Sequence, residues 1–349
     1  MRSFAFDFVR VVSTFLVVML HVASPLLWDG YDPWSVTWLG ANLLDSVGRM
    51  AVPVFVMLSG ALLLGKNEPY GDFFKKRFTR VAIPLVAWTC IYLFLKFWKL
   101  GGFTGNAWDV VAKLPNPLRD PVSVHLWYLY MILGLYLVTP LLRRVLPSLQ
   151  SQDLWYALGI WVVFQIVFPM VKRHLGYQPN LIATLLTPYL GYYVAGYALR
   201  HYAPGPGALR WLWLGMVAGC FGTVALTLAE SLAMGSTQTF YSWYHSPTVV
   251  LQGFCGFLLL MHYGAKWSVG VSDKTGSWFQ SLGVLTFGVY LIHPLFLGWV
   301  SRAILPEATI VAHPAYAFFG IIVAAGLLTT VSLGFTWILS RIPFVKAWV

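Results

Sequence analysis

Long, continuous runs of apolar residues dominate the chain, and polar residues fall between these runs instead of alternating within them. A helix needs roughly 20 mostly apolar residues to cross the hydrocarbon layer of a bilayer, and the runs reach this length. Because they do not alternate with a period of two, the pattern predicts helices and not barrel strands. We place ten spans, at residues 8–27, 38–64, 81–98, 124–142, 154–171, 181–199, 211–233, 247–264, 281–304 and 314–340.

The pattern predicts an all-α, polytopic transmembrane helix bundle that forms one domain over residues 1–349. Two regions allow another description. The stretch 101–123 is only weakly charged and could hold a re-entrant element. The second span is longer than the minimum and fits a tilted helix.

The composition fits a membrane protein. Apolar residues make up 58% of the chain and charged residues only 10%, where soluble domains have about a quarter charged. The net charge of +11 is spread over short loops, which favours a topology role over nucleic-acid binding. The predicted inner loops carry twice as many Lys and Arg residues as the outer loops, which predicts that both termini are cytoplasmic. The charged residues at the head of the first run favour an uncleaved helix over a signal peptide.

The three cysteines, Cys90, Cys220 and Cys255, lie in apolar runs without paired spacing. This spacing predicts neither a disulfide framework nor a zinc site. We therefore expect no metal in the protein.

The first span carries three ionisable residues, Asp7, Arg10 and His21. Each costs about 2.5–3.5 kcal/mol inside a membrane on insertion scales, so each is a candidate functional residue. Asp7 and Arg10 are three residues apart and can pair on one helical face. Arg10 and His21 differ by about 20° around the helix axis and by about 16 Å along it. His21 suits proton transfer at neutral pH, although a lone histidine could merely hydrogen-bond a neighbouring helix.

A second set of charged residues belongs to the second and third spans. Asp45 and Arg49 share one helical face, just ahead of Pro53, which loosens the helix. Arg77 and Arg80 are one turn apart in the predicted loop before the third span, and they could clamp phosphates at the cytoplasmic mouth. Such a cluster is also the ordinary positive anchor of an inner loop, so both interpretations stay open.

Polar residues also interrupt later apolar runs. His125 and Trp127 open the fourth span, and Tyr290 and His293 lie in the ninth, directly ahead of Pro294. Pro294 removes a backbone donor and frees a carbonyl beside His293, which favours a role for His293 in a site. His125 equally fits a residue at the water boundary. The outer loops are rich in aromatic residues that could stack on sugars, although most aromatics of this kind form an interfacial belt.

Five segments occur in an order that resembles the acyltransferase-3 family over nearly the whole chain. The likeness is greatest to the stand-alone branch similar to the enterobacterial common antigen O-acetyltransferase, which lacks a fused esterase-like domain. The segments are Phe6-Asp-Phe-Val-Arg10 with Leu20-His21, Val52-Pro-Val-Phe-Val-Met-Leu-Ser-Gly60, Arg77-Phe-Thr-Arg80, His125-Leu-Trp-Tyr-Leu129 and Leu285-Thr-Phe-Gly-Val-Tyr-Leu-Ile-His-Pro294.

The resemblance implies transfer of an acyl group, usually acetyl from acetyl-CoA, to a hydroxyl of a surface polysaccharide, lipid-linked sugar or antibiotic in the bacterial inner membrane. It implies that His21 is catalytic with Arg10 as its partner, and that Arg77 and Arg80 meet the donor. From the residues themselves we add Asp7, which can pair with Arg10, to the catalytic set and Arg49 to the donor-binding arginines. The substrate-binding or supporting set is His125, Trp127, Tyr290, His293 and Asp45.

One departure from the family concerns a carboxylate. Many relatives have a Glu shortly after the His-Leu-Trp-Tyr segment, where this chain has Tyr130-Met131-Ile132, so a carboxylate role at that point is in doubt.

The residues and the resemblance lead to one hypothesis. CoA phosphates bind Arg77 and Arg80, the pantetheine arm threads inward, and His21 deprotonates the acceptor hydroxyl or takes the acyl group transiently. The expected partners are an acyl-CoA, a glycan or glycolipid and membrane lipid, but no nucleic acid. The sequence is compatible with both a monomer and a homo-oligomer. A transporter or flippase for a lipid-linked sugar is the alternative, since it also needs polar residues in its spans.

Overall fold

The computed structural model describes residues 4–28, 32–102, 106–117, 119–176, 188–200 and 204–349, and the regular elements in them are all helical. The first eight helices are α1 (Phe4–Ala23), α2 (Pro25–Trp28), α3 (Val36–Gly48), α4 (Ala51–Leu63), α5 (Tyr70–Lys99), α6 (Ala107–Lys113), α7 (Trp127–Val145) and α8 (Ser151–Val162). The next seven are α9 (Phe168–Leu175), α10 (Pro188–Leu199), α11 (Pro206–Met234), α12 (Pro247–Ser268), α13 (Asp273–Ile304), α14 (Glu307–Ala312) and α15 (Tyr316–Arg341).

Within the described residues, nine helical stretches are long and apolar enough to cross a membrane. They coincide with nine of the ten predicted spans, which confirms an all-α, multi-pass membrane fold. The predicted span at 181–199 lies partly outside the described residues, and its described part is α10. The side of the membrane that each terminus faces stays a prediction.

The second and third predicted spans differ in detail from the structure. The second is divided into α3 and α4 by a turn at Arg49 and Met50. Pro53 lies in the first turn of α4, where its missing N–H breaks no helical hydrogen bond. The predicted loop before the third span is wrong, because α5 begins at Tyr70 and carries both Arg77 and Arg80.

The ninth predicted span is one continuous helix, although it contains a proline. Helix α13 continues through Pro294, from Asp273 to Ile304. Buried contacts with α1 and α15 hold the helix on both sides of the proline, as neighbouring helices commonly do in membranes. In the stretch 101–123, the structure has the seven-residue helix α6, in which only Val110 is buried.

Helix α1 lies at the centre of the bundle. It packs against α3, α4, α12, α13 and α15. Its apolar residues are buried on several sides, since Val9, Val18 and Ala23 are all fully buried. The ionisable residues of α1 therefore lie inside the protein and not against lipid, which is where a membrane protein can tolerate them.

Helices α4 and α10 approach so closely that only glycine fits between them. A Cβ at Gly60 would lie 1.8 Å from the carbonyl oxygen of Tyr193, and one at Gly196 would lie 1.8 Å from that of Met57. Small residues at such contacts let helix backbones meet in membranes, where packing drives association. This contact fixes α4, which forms one wall of the cavity described next.

Candidate active site

A cavity of about 470 Å³ lies between α1, α4, α5, α7 and α13. On α1, both Arg10 and His21 line it, and eleven residues of helix separate them by about 16 Å. His125 and Tyr136, also eleven residues apart, line it from the 3-10 turn before α7 and from α7 itself. The cavity therefore extends over about half of the roughly 30 Å hydrocarbon thickness.

One end of the cavity is cationic. Arg77 and Arg80 line it from α5, Lys66 from the segment after α4, and Arg200 from the end of α10. Among the described residues, none of the side chains that line the cavity is acidic. The Nε atom of Arg77 is buried without a hydrogen-bond partner in the described part of the chain. An anionic ligand would satisfy this donor and balance the charge.

A nearby carboxylate, Glu68, neutralises other cations in the same region. It accepts a hydrogen bond from Lys76 at 2.9 Å and pairs with Arg143 at 3.5 Å. The hydrogen bond from Lys76 outweighs partial burial and lowers the pKa of Glu68, so the carboxylate stays ionised. Arg143 also donates to the carbonyl of Leu63 at 2.8 Å and lies over the ring of Phe73, which gives it a structural role.

Three histidines meet at the other end of the cavity. The ring centres of His21 and His293 are 5.1 Å apart, and those of His125 and His293 are 5.6 Å apart. His21 and His125 line the cavity, whereas His293 is fully buried behind them. Among the described residues, no group of three or more His, Cys, Asp or Glu side chains is arranged to hold a metal ion.

Pro294 favours one tautomer of His293. It has no N–H for the carbonyl of Tyr290 four residues earlier, and His293 Nδ1 contacts that oxygen at 2.8 Å and the carbonyl oxygen of Val289 at 3.2 Å. Carbonyl oxygens only accept, so Nδ1 is the donor in these contacts. In the neutral imidazole Nε2 is then an acceptor, and it is buried without a partner in the described residues.

Aromatic side chains surround the histidine end. Trp127 stacks on Tyr244 with ring centres 5.7 Å apart, and both line the cavity. The Tyr290 hydroxyl donates to the carbonyl of His125, and the Tyr92 hydroxyl donates to that of Leu291 at 2.8 Å. The first bond ties the backbone before α7 to α13, and the second ties α5 to α13. Together they hold the backbone beside His125 and His293 in place.

The geometry joins a cationic mouth to a histidine cluster through the membrane interior. A comparison of the whole chain with known families gives a separate result. A family model described as an acyltransferase domain, Acyl_transf_3, matches residues 4–341. The chain belongs to the acyltransferase-3 family. The comparisons found no match among curated proteins and none among solved structures.

The acyltransferase brings together most of the residues predicted from its sequence. Arg10, His21, Arg77 and Arg80 line one cavity. His125, Trp127 and Tyr290 also line it, and His293 contacts His21 from behind. Asp7 is buried beside the cavity and forms the predicted ion pair with Arg10.

Arg49 and Asp45 form the predicted ion pair, with two hydrogen bonds of 2.8 and 2.9 Å. Neither residue is among those that line the cavity. Gly48 packs against Leu20, so Arg49 lies at the depth of His21 and far from Arg77. This position suits a support for the histidine end, and the donor-binding role of Arg49 stays a prediction.

The sequence interpretation did not nominate several residues of the site. Lys66 and Arg200 join the cationic end, Tyr244 joins the aromatic wall, and Thr14 lines the cavity between Arg10 and His21. The Thr14 hydroxyl is buried and has no hydrogen-bond partner among the described residues. Lys66 and Arg200 look like ordinary inner-loop cations in the sequence, and only their convergence in the fold distinguishes them.

Proposed function

We propose that this acyltransferase is a membrane-embedded O-acetyltransferase, which moves an acetyl group from acetyl-CoA to a hydroxyl of a surface polysaccharide or lipid-linked sugar. One observation carries the proposal: a single cavity joins the cations Arg77 and Arg80 to His21. A transporter of a lipid-linked sugar also needs polar residues in its spans and cations for the lipid phosphate. It does not need an imidazole that a thioester can reach from the cationic end.

The cationic end suits the phosphates of the donor. Arginine binds phosphate bidentately, and the donor's diphosphate can reach Arg77 and Arg80 from the aqueous side. The pantetheine arm is about as long as half a bilayer, which matches the distance along α1 from Arg10 to His21. Thr14 and Thr286 line the route and offer hydroxyls to the amides of the arm.

His21 carries the chemistry in this proposal. As a base it takes the proton of the acceptor hydroxyl while the oxygen attacks the thioester carbon, and the carbon–sulfur bond then breaks to release the CoA thiolate, which takes a proton. As a nucleophile it first holds the acetyl group itself and then passes it to the acceptor. In both cases, a hydrogen bond from His21 to Nε2 of His293 would determine which nitrogen of His21 reacts.

The aromatic wall supports a sugar as the acceptor. Sugar rings stack their C–H faces on aromatic side chains, and Trp127 and Tyr244 present such faces beside the histidines. Loop charges predict that the cationic end faces the cytoplasm, where acetyl-CoA is made. The bacterial inner membrane is the location that the family resemblance implies.

The test uses radiolabelled acetyl-CoA and membrane vesicles that contain the cell's own glycans. We expect wild-type protein to transfer label to the glycan fraction, and we expect His21→Ala to lower the rate by about 10²–10⁴-fold, the usual contribution of a general base. His262→Ala is the matched control, because His262 lies on α12 and does not line the cavity.

Two results would overturn the proposal. One is unchanged transfer by His21→Ala at equal protein level. The other is a wild-type protein that neither hydrolyses nor transfers acetyl from acetyl-CoA while it still binds or moves a glycolipid, which would favour the transporter.

A further inference from the structure

The cationic end of the cavity contains a second pair of cations besides the two arginines of α5. Lys66 follows α4 and Arg200 directly follows α10, whereas Arg77 and Arg80 belong to α5. Both side chains line the same cavity as Arg77 and Arg80. Cations that converge from separate parts of a chain repel each other, and an anionic ligand removes that repulsion.

The position of Arg200 depends on a glycine beside Lys66. A guanidinium nitrogen of Arg200 lies 3.2 Å from the point where a Cβ on Gly65 would stand. This contact is tighter than most side chains accept, so Gly65 lets the guanidinium lie against the backbone next to Lys66. The two cations therefore form one subsite, which we call the Lys66/Arg200 pair.

No carboxylate neutralises this pair within the described residues. Glu68 pairs with Lys76 and Arg143, and neither Lys66 nor Arg200 forms an ion pair in the described part of the chain. Burial and the charges of Arg77, Arg143 and Arg200 lower the pKa of Lys66, against an opposing effect of Glu68. Burial and the surrounding cations thus outweigh Glu68 at Lys66, and the subsite keeps a net positive charge.

We propose that the Lys66/Arg200 pair is a second phosphate subsite, which binds the 3′-phosphate of the donor's adenosine while Arg77 and Arg80 bind its diphosphate. The inference rests on the proposed function, because it takes acetyl-CoA as the donor. A CoA thioester carries two separate phosphate groups, and the cavity carries two separate pairs of cations on different elements. The subsite makes the enzyme select a 3′-phosphorylated donor.

The first experiment compares acetyl-CoA with 3′-dephospho-acetyl-CoA in the transfer assay. We expect wild-type protein to show a KM for the dephospho donor at least about tenfold higher, equal to about 1.4 kcal/mol. Lys66→Gln and Arg200→Gln should raise the KM for acetyl-CoA and bring the ratio of the two KM values towards one. Arg77→Gln should raise both KM values and keep the ratio. Arg144→Gln is the matched control. Arg144 lies in the last turn of α7, over the Tyr70 ring, and does not line the cavity.

A binding measurement keeps the inference testable without turnover. Purified protein in nanodiscs should bind adenosine 3′,5′-bisphosphate more tightly than adenosine 5′-monophosphate, and Arg200→Gln should remove the difference. Arg200→Lys keeps the positive charge, so it should retain part of the difference in affinity. This variant distinguishes loss of the charge from misfolding.

The outcomes separate the two proposals. Equal use of both donors by wild-type protein, or a ratio that Lys66→Gln and Arg200→Gln leave unchanged, overturns the subsite. Absence of transfer together with selective binding of the bisphosphate overturns the proposed reaction and supports the subsite.

Discussion

The contact between α4 and α10 gives a prediction with a magnitude. In Gly60→Ala, the new Cβ would lie 1.8 Å from the carbonyl oxygen of Tyr193, where an ordinary contact is about 3.5 Å. The partner atom is backbone and cannot rotate away, so the helices must separate by roughly 1.5 Å. Overpacking of this kind costs about 1–3 kcal/mol, and sometimes more.

A matched control exists on α7. A Cβ at Gly134 would meet nothing within 4 Å, so Gly134→Ala keeps only the gain in helix propensity, at most about 1 kcal/mol. Gly60→Ala gains the same helix propensity, so the two variants should differ by the overpacking cost alone, about 1–3 kcal/mol. At about 2–4 °C per kcal/mol, their unfolding temperatures in detergent should differ on the order of 2–10 °C, with Gly60→Ala lower.

The same change should affect function, because Ser59 and Leu62, on either side of Gly60, line the cavity. Acetyl transfer at a temperature where both variants are folded should be slower in Gly60→Ala than in Gly134→Ala. If Gly60→Ala unfolds at the same temperature as Gly134→Ala and transfers at the same rate, the close contact of α4 and α10 is not as the structure places it.

Two further predictions concern charged groups. Asp45→Ala leaves the Arg49 charge without its partner, and loss of one member of a buried pair costs about 3–5 kcal/mol. We therefore expect this variant to unfold at a clearly lower temperature than the double variant Asp45→Asn with Arg49→Gln. Equal unfolding temperatures would contradict the stabilising role of the pair. The lowered pKa of Lys66 means that this side chain loses its charge at a lower pH than a lysine with no cations around it. The KM for acetyl-CoA should therefore rise towards alkaline pH in wild-type protein and less in Lys66→Arg, whose charge persists beside Arg77, Arg143, Arg200 and Glu68. Parallel pH profiles of the two proteins would show that Lys66 does not meet the donor.

The pattern of apolar residues predicted the membrane fold because few backbone structures are stable in lipid. A run of about 20 apolar residues must satisfy its backbone internally, so helix and span follow from length and composition alone. Helix boundaries outside the membrane were not fixed in this way. The segment before Val81 is polar, and its continuation of α5 from Tyr70 depends on Phe73, which is fully buried in the bundle.

Part of the site was also within reach of the sequence. Helical spacing alone placed Arg10 and His21 on one face, and Asp7 and Asp45 beside their arginines, because these pairs lie on single helices with a fixed rise and turn. The meeting of His21 with His125 and His293 was not predictable from spacing, since it joins three segments far apart in the chain.

The sequence by itself determined that this protein crosses the membrane many times and that a few ionisable residues lie inside it, because the cost of charge in lipid makes such residues conspicuous. Only the tertiary structure decided which cations face one cavity. Lys66 and Arg200 resemble any inner-loop charge until the close approach of α4 and α10 brings the ends of both helices to the same mouth as Arg77. Convergence of this kind depends on packing between distant segments, which no local pattern of residues records.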